Sequence, residues 1–438
     1  MFSSVSELLS PPYYSQESEA LHQAFHAGFG KNTQFRSPIS GDYLSAFVLE
    51  DLDRDSEQEA LVFYVQDSFN KTVHIGVLDQ INGQWQRTAD LEGNGSDVYS
   101  VQIEDMNADG KKEVVVCWTT PENTRVLTVY ACTGSPFGIA RIGDCTYTQM
   151  LLADLDSDSF IEILTLELIS AAGAQTAQAT VFRLTSNGLT ILDKRYLDGK
   201  VSRYESMIFC PSEEGCAVYV DAFKGESSMI TELIIWNAQT QTMSLPLLDA
   251  QSQTNELSWR GEQIRCRDLD ADGVPEIPAQ KETLPGSEVW QNGVREEADL
   301  FVTQWYSFRG GRWVQVLRTI MCTESGFMFR IPQDWEGRFT VSVYKDSDKW
   351  NFYEVDRRSG KWGEYLCSVI FTTTDQWESL KKTTYSGYDP LLTEEGHMLI
   401  VYGINAESTL GVSQERLLES FVFLSERTEA HHEKDTDR

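Results

Sequence analysis

Basic side chains are scarce in this chain: 36 Lys and Arg stand against 67 Asp and Glu, a formal net charge of −31 over 438 residues. So negative a surface repels polyphosphate backbones and anionic bilayers, which argues against nucleic acid and acidic membrane surfaces as partners. Long apolar runs are also missing, with none near the roughly 18 residues that cross a membrane as a helix. There are six histidines, His22, His26, His74, His397, His431 and His432, and none has a motif partner. No G-x-S-x-G elbow, P-loop or H-E-x-x-H occurs, so the sequence gives no motif-level ground for a serine hydrolase, a P-loop NTPase or a zincin. Cys117, Cys132, Cys145, Cys210, Cys216, Cys266, Cys322 and Cys367 form no C-x-x-C pair and no metal-finger spacing. Cys210 and Cys216 flank PSEEG, a turn that a disulfide can bridge, but such residues are more often simple buried thiols.

Acid is abundant, and it recurs in one arrangement. Four times a short, β-rich apolar run enters a loop of the form Asp-x-(Asp/Asn)-x-Asp that a glutamate closes at position 9. The loops are Asp51, Asp53, Asp55 and Glu59 in DLDRDSEQE; Asp105, Asn107, Asp109 and Glu113 in DMNADGKKE; Asp154, Asp156, Asp158 and Glu162 in DLDSDSFIE; and Asp268, Asp270, Asp272 and Glu276 in DLDADGVPE. Asp and Asn also favour solvated turns for backbone reasons alone. Four matches at the same spacing, each entered from an apolar run, point instead to a hard divalent cation, which takes six to eight oxygens at about 2.3–2.6 Å. Position 7 is expected to supply a backbone carbonyl, from Glu57, Lys111, Phe160 and Val274. The loops are not EF-hands, which need flanking helices and a glutamate at position 12.

Gly110 and Gly273 hold position 6, where a sharp turn favours positive φ, while Ser56 and Ser159 hold it in the first and third loops. Pro275 and Pro278 weaken the strand after the fourth loop. The second loop is therefore the best formed by sequence. The loops start at residues 51, 105, 154 and 268, so the last gap is about twice the others and implies a unit whose loop has decayed, read here in CAVYVDAFKGESSMITELIIW around Asp221 and Gly225. A repeat of about 50 residues holding several short strands is the mark of a propeller blade. Asn82-Gly83 and Gly310-Gly311 close hairpins within these units.

On these motifs the chain resembles the FG-GAP or VCBS calcium-loop propeller repeats of integrin α-subunits and bacterial surface proteins, although the Phe-Gly and Gly-Ala-Pro signatures are largely missing. The resemblance implies a mainly β fold. A β-propeller of about five blades or more would be followed by a small α+β domain, with two to four Ca2+ ions bound by the aspartates and by the acidic residue at position 9. The expected division is a leader and short helix over 1–41, the propeller over 42–320, an α+β module over 321–425 and a disordered tail over 426–438.

Within the leader, Glu17 to Gly28 has an amphipathic helical pattern through Leu21 and Phe25. In the module, GFMFRIPQDW, RFTVSVYKD, WNFYEVDRR and YLCSVIFTT read as successive strands. DQWESLKK reads as a helix capped by Thr374, HMLIVYGI as a strand, and SQERLLESFVFLSE as a longer helix with Leu417, Leu418, Phe421 and Leu424 on its apolar side. The module is similar in outline to PsbP/Mog1-like modules. The whole arrangement resembles surface lipoproteins of Gram-positive anaerobic bacteria. Calcium loops of this kind suit an extracellular site. The polar start MFSSVSELLSPPYY is read as that of a chain trimmed of its export segment, the alternative being a cytoplasmic protein beginning at Met1. A monomer is expected, meeting the membrane only through the lipid anchor that the resemblance implies.

The expected function is calcium-stabilised binding or scaffolding of a protein or glycan ligand. Trp85, Trp118, Trp259, Trp290 and Trp350 would either line the binding face or pack within and between blades. The alternative is a carbohydrate-active enzyme, a glycosidase or lyase, using the propeller funnel. It requires two inward carboxylates about 5–10 Å apart that are not metal ligands.

Overall fold

The computed structural model describes residues 16–424 apart from 67–71, 135–136, 172–173, 213–214, 297–299, 357, 383–384, 386–387 and 395. Among these the chain is mainly β, and it divides into two compact units. One is Met1–Tyr196 with Glu213–Cys216 and Trp236–Met243; the other is Leu197–Ser212 with Ala217–Ile235 and Ser244–Arg438.

The first unit opens with helix α1 (Gln16–Phe29), whose Leu21, Phe25 and Phe29 are buried against Ala60, Val62, Tyr64 and Leu78 of the first sheet. Gly30, at φ 94°, ends it. That sheet comprises Gln34–Phe35, Phe47–Glu50, Glu59–Val65, His74–Ile81 and Gln84–Glu92. The second is a four-stranded antiparallel meander of Asp97–Glu104, Glu113–Thr119, Arg125–Thr133 and Gly138–Tyr147, and the third a meander of Gln149–Ala153, Glu162–Ala171, Ala174–Thr185 and Gly188–Tyr196. In all three, an acidic loop joins the entering strand to an inner strand.

In the first two sheets those inner strands read as apolar runs, ALVFYV and VVVCW, rather than alternating ones, because they are covered on both faces. Glu59–Val65 is buried at every position. Leu61 and Phe63 of the first sheet share a core with Val114, Val116 and Trp118 of the second, while Val115 and Cys117 pack with Ile163 of the third. The period-2 pleat thus makes each inner strand of the second sheet a two-sided spacer between its neighbours. Asn82 and Gly83, at φ 56° and 74°, form the two-residue hairpin turn expected of that dipeptide.

Most of a fourth meander (Val201–Ser212, Gly215–Lys224, Met229–Asn237 and Thr242–Ser244) lies in the second unit. Here the expectation of a decayed loop at Asp221 and Gly225 needs correcting. Asp221 lies inside the strand Gly215–Lys224, and Gly225 belongs to the turn between the second and third strands. The position that matches the acidic loops falls at 213–214, outside the described residues.

A fifth sheet of Ile277–Thr283, Phe301–Arg309, Arg312–Cys322, Phe327–Arg330 and Phe421–Phe423 follows the fourth acidic loop. A sixth, seven-stranded sheet runs in the order Val294–Glu296, Glu288–Gln291, Phe339–Tyr344, Lys349–Val355, Trp362–Thr373, His397–Tyr402 and Pro390–Glu394. A core rich in Phe327, Phe329, Trp335, Phe339, Phe352 and Phe421 joins residues of both.

The expected boundary at residue 320 falls inside the strand Arg312–Cys322, and sheet pairing crosses it in both directions. Phe327–Arg330 pairs back onto Arg312–Cys322, and Glu288–Gln291 pairs in parallel with Phe339–Tyr344. The last helix is also shorter than its apolar spacing implied. It spans Gln414–Ser420, and Phe421 is already extended because it adds a strand to the fifth sheet. Leu418 is exposed. Helix Thr374–Leu380 is capped by Thr373 rather than Thr374, in a capping box with Gln376. The tail 426–438 and residues 1–15 lie outside the described residues.

Candidate metal centres

The four acidic loops share left-handed backbone at two positions. Position 4 is left-handed in each (Arg54, Ala108, Ser157 and Ala271, φ 56–64°), and so is position 6, at Ser56, Gly110, Ser159 and Gly273 (φ 74–94°). Serine thus accepts at position 6 the geometry that glycine adopts without strain. The left-handed non-glycine at position 4 has no sequence signature beyond its place in the motif.

Backbone donors aim the carboxylates inward. Asp105 accepts from the N–H groups of Asp109 (3.1 Å) and Gly110 (3.0 Å). Asp154 accepts from Asp158 and Ser159, and Asp268 from Asp272 and Gly273, in the same way. Asp51 accepts instead from Arg54 (2.7 Å) and Ser56 (3.2 Å). The N–H of each position 7 residue, Glu57, Lys111, Phe160 and Val274, donates to the aspartate at position 5.

The closing glutamates Glu59, Glu113, Glu162 and Glu276 are all buried. One oxygen of each accepts from the N–H of position 2, at Leu52, Met106, Leu155 and Leu269 (2.8–3.0 Å). This bond staples the mouth of the loop. Desolvation by burial pushes each of the four carboxyls up to about 7, with nearby aspartates adding to the shift.

The loops part ways at the other oxygen. Glu113 Oε1 accepts from the Asn107 side-chain amide at 3.2 Å, and Glu162 Oε1 is held by the Arg183 guanidinium. Glu59 Oε1 and Glu276 Oε1 are buried with no hydrogen-bond partner among the described residues, a costly state for a carboxylate oxygen unless a cation meets it. Ligand atoms of Asp51, Asp53 and Glu59, of Asp154, Asp156 and Glu162, and of Asp268, Asp270 and Glu276 all converge within 4.8 Å in their own clusters. All three clusters gather carboxylate oxygens of the kind a hard metal ion takes, although in the third the Arg183 guanidinium already contacts Asp156 and Glu162.

The second loop, best formed by sequence, is not among those carboxylate clusters, because Asn107 stands at position 3 and its amide turns to Glu113. Arg54 of the first loop also reaches Asp105 at 3.3 Å. In the fourth loop Arg309 pairs with Asp272, and approaches Asp270 at 3.7 Å, from an exposed position. Neither pairing was legible in the motif, since the arginines come from another loop and another strand.

Of the five tryptophans, Trp118 and Trp350 are withdrawn into cores, and Trp85, Trp259 and Trp290 are half-buried. Cys210 and Cys216 are not joined in a disulfide, and none of the other six cysteines is disulfide-bonded. Burial pushes Cys132, Cys145 and Cys367 up to about 12, which leaves them poor nucleophiles. No helix among the described residues is long and apolar enough to cross a membrane.

No family model matches the chain, and no curated protein does. Among solved structures it is similar to Sqt1 from Chaetomium thermophilum (10% identity, 70% of this chain and 68% of that one, TM-score 0.30) and to the rhamnogalacturonan lyase PL11 of Bacillus licheniformis (10% identity, 76% and 77%, TM-score 0.31). It is also similar to the periplasmic gluconolactonase PpgL of Pseudomonas aeruginosa (14% identity, 76% and 88%, TM-score 0.28).

Proposed function

We propose that the chain is a calcium-stabilised β-propeller protein of the cell exterior that binds or scaffolds a protein or glycan ligand, with metal-pinned corners holding its sheets in register. The supporting observation is the pair of buried, unpartnered oxygens, Glu59 Oε1 and Glu276 Oε1, each converging with two aspartates of its own loop. A divalent cation satisfies both the orphaned oxygen and the mutual repulsion of the carboxylates. Calcium suits the set because its flexible coordination accepts side-chain and backbone oxygens together, and millimolar calcium outside cells fills sites of modest affinity. Successive meanders that share faces through their inner strands are the packing a propeller uses.

The test is a thermal melt of the purified chain in EGTA and after calcium is restored, because a ligand of the folded state alone stabilises it by mass action. The reading requires a lower melting temperature in EGTA and recovery with calcium. An unchanged melt, together with no bound calcium after equilibrium dialysis, overturns it. A glycan array and pull-down from surface extracts then address the ligand.

A further inference from the structure

We infer that the third acidic loop is filled by a cation of the protein's own: the Arg183 guanidinium takes the place that a divalent ion takes in the first loop, so this corner is built not to bind metal. The inference rests on the calcium reading above and refines it. Arg183 lies on the strand Ala174–Thr185, directly across the ladder from Glu162, so its side chain rises beside the loop. Its Nη2 meets both oxygens of Asp156 at 3.1 Å, Nη1 meets Asp158 at 2.9 Å, and Glu162 Oε1 completes the contact. The guanidinium also lies over the Phe160 ring at 5.4 Å.

These are the side chains at positions 3, 5 and 9, which with position 1 make up the ligand set. A planar fork with five donors engages three carboxylates at once and keeps its charge at any physiological pH. Arg183 is 13% exposed, Asp156 5% and Glu162 0%. A calcium ion entering this corner would therefore have to expel a mostly buried guanidinium and leave it without its partners, which is unfavourable.

The first loop differs on this same point. Among the described residues no Lys or Arg is paired with Asp51, Asp53, Asp55 or Glu59, and Glu59 Oε1 has no partner at all. The fourth loop lies between the two: Arg309 is 51% exposed and pairs with Asp272, while Glu276 Oε1 remains unpartnered.

The experiment counts calcium bound per chain by equilibrium dialysis and elemental analysis, on the full chain and its variants. Asp53→Asn is expected to lower the count by one relative to wild type, and Asp156→Asn to leave it unchanged. Arg183→Gln, which frees the third carboxylate set, is expected to raise it by one. A wild type whose count falls by one on Asp156→Asn, or a folded Arg183→Gln with an unchanged count, overturns the assignment of Arg183 while leaving calcium in the other loops intact. Should Arg183→Gln not fold, the Asp156→Asn comparison alone decides. A wild type that binds no calcium overturns the underlying calcium reading instead.

Discussion

The backbone N–H of Lys112 donates to the carbonyl of Leu52 at 2.9 Å, tying position 8 of the second acidic loop to position 2 of the first. Ile161 repeats the link to Met106 at 3.0 Å, from the third loop to the second. In the first and second loops the position 2 residue is thus a node. Its N–H is held by its own closing glutamate, and its carbonyl holds the neighbouring loop. Order imposed at one corner is therefore transmitted to the next through main-chain bonds rather than through exposed side chains.

The node at Leu52 separates two roles of Glu59. Glu59→Ala removes the acceptor of a buried N–H and is expected to cost about 1–3 kcal/mol even in EGTA, where no metal contributes. Glu59→Gln keeps an oxygen for Leu52 but removes the charge, so it should be nearly neutral in EGTA and lose most of the stabilisation that calcium gives the first loop. Urea denaturation of both variants with and without calcium checks this. Equal losses for the two substitutions in EGTA would show that the charge, not the staple, supports the fold.

The closing glutamates also set a pH dependence. Their folded values near 7 stand above the unfolded value of 4.5, so between these limits the folded state binds more protons than the unfolded one. Stability in EGTA should accordingly be highest below about pH 4.5, fall as pH rises towards 7 and level off above it, as far as these groups are concerned. Saturating calcium, which favours the ionised form where it binds, should shallow that slope. Glu232, also pushed up to about 7 by burial and not one of the closing glutamates, keeps part of the slope in place. Denaturant midpoints at half-unit pH steps measure both curves, and superimposable slopes with and without calcium would count against metal at these carboxyls.

A second buried charge lies where no loop exists. Asp221 and Arg260 are 1% and 0% exposed and meet at 2.7 Å, and Asp221 also accepts from Thr231 Oγ1 and the Cys266 N–H. Asp221→Ala should destabilise the chain by about 3–5 kcal/mol, because it leaves a guanidinium buried without its counter-ion. Asp221→Ala combined with Arg260→Met should recover much of that loss. Chemical denaturation of the single and double variants closes the cycle, and additive losses would deny the pairing its energetic weight.

What the sequence made legible is what local spacing encodes. The acidic loops, the helix carrying Leu21 and Phe25, the Asn82-Gly83 turn and most strands of the last hundred residues follow from period and turn chemistry, which act over a few neighbours. Arg183 and Arg309 escaped because they reach their loops from a paired strand, 21 or more residues away. Asp221 was misread for a related reason: an aspartate beside an apolar run looks like a loop relic until Arg260 arrives from elsewhere in the chain to neutralise it. The end of the last helix differs because Phe421 and Leu424 satisfy a helical pattern equally well, and only the open edge at Phe327–Arg330 selects the strand.

Packing makes the last prediction. Gly93 donates its N–H to the Val73 carbonyl at 2.7 Å, and a Cβ there would lie 2.5 Å from Cη2 of Trp118 and 2.6 Å from that same carbonyl oxygen. Trp118 cannot yield easily, since it is fully buried, packs against Phe63 and donates Nε1–H to Thr128 at 3.1 Å. Gly93→Ala must therefore move backbone, at a cost of about 1–3 kcal/mol or more, whereas Gly134→Ala, with nothing within 4 Å of its Cβ position, should be close to neutral. Tryptophan fluorescence and melting temperature follow the pair. A Gly93→Ala chain that melts with wild type would mean that the close approach of Trp118 to this glycine relaxes at little cost.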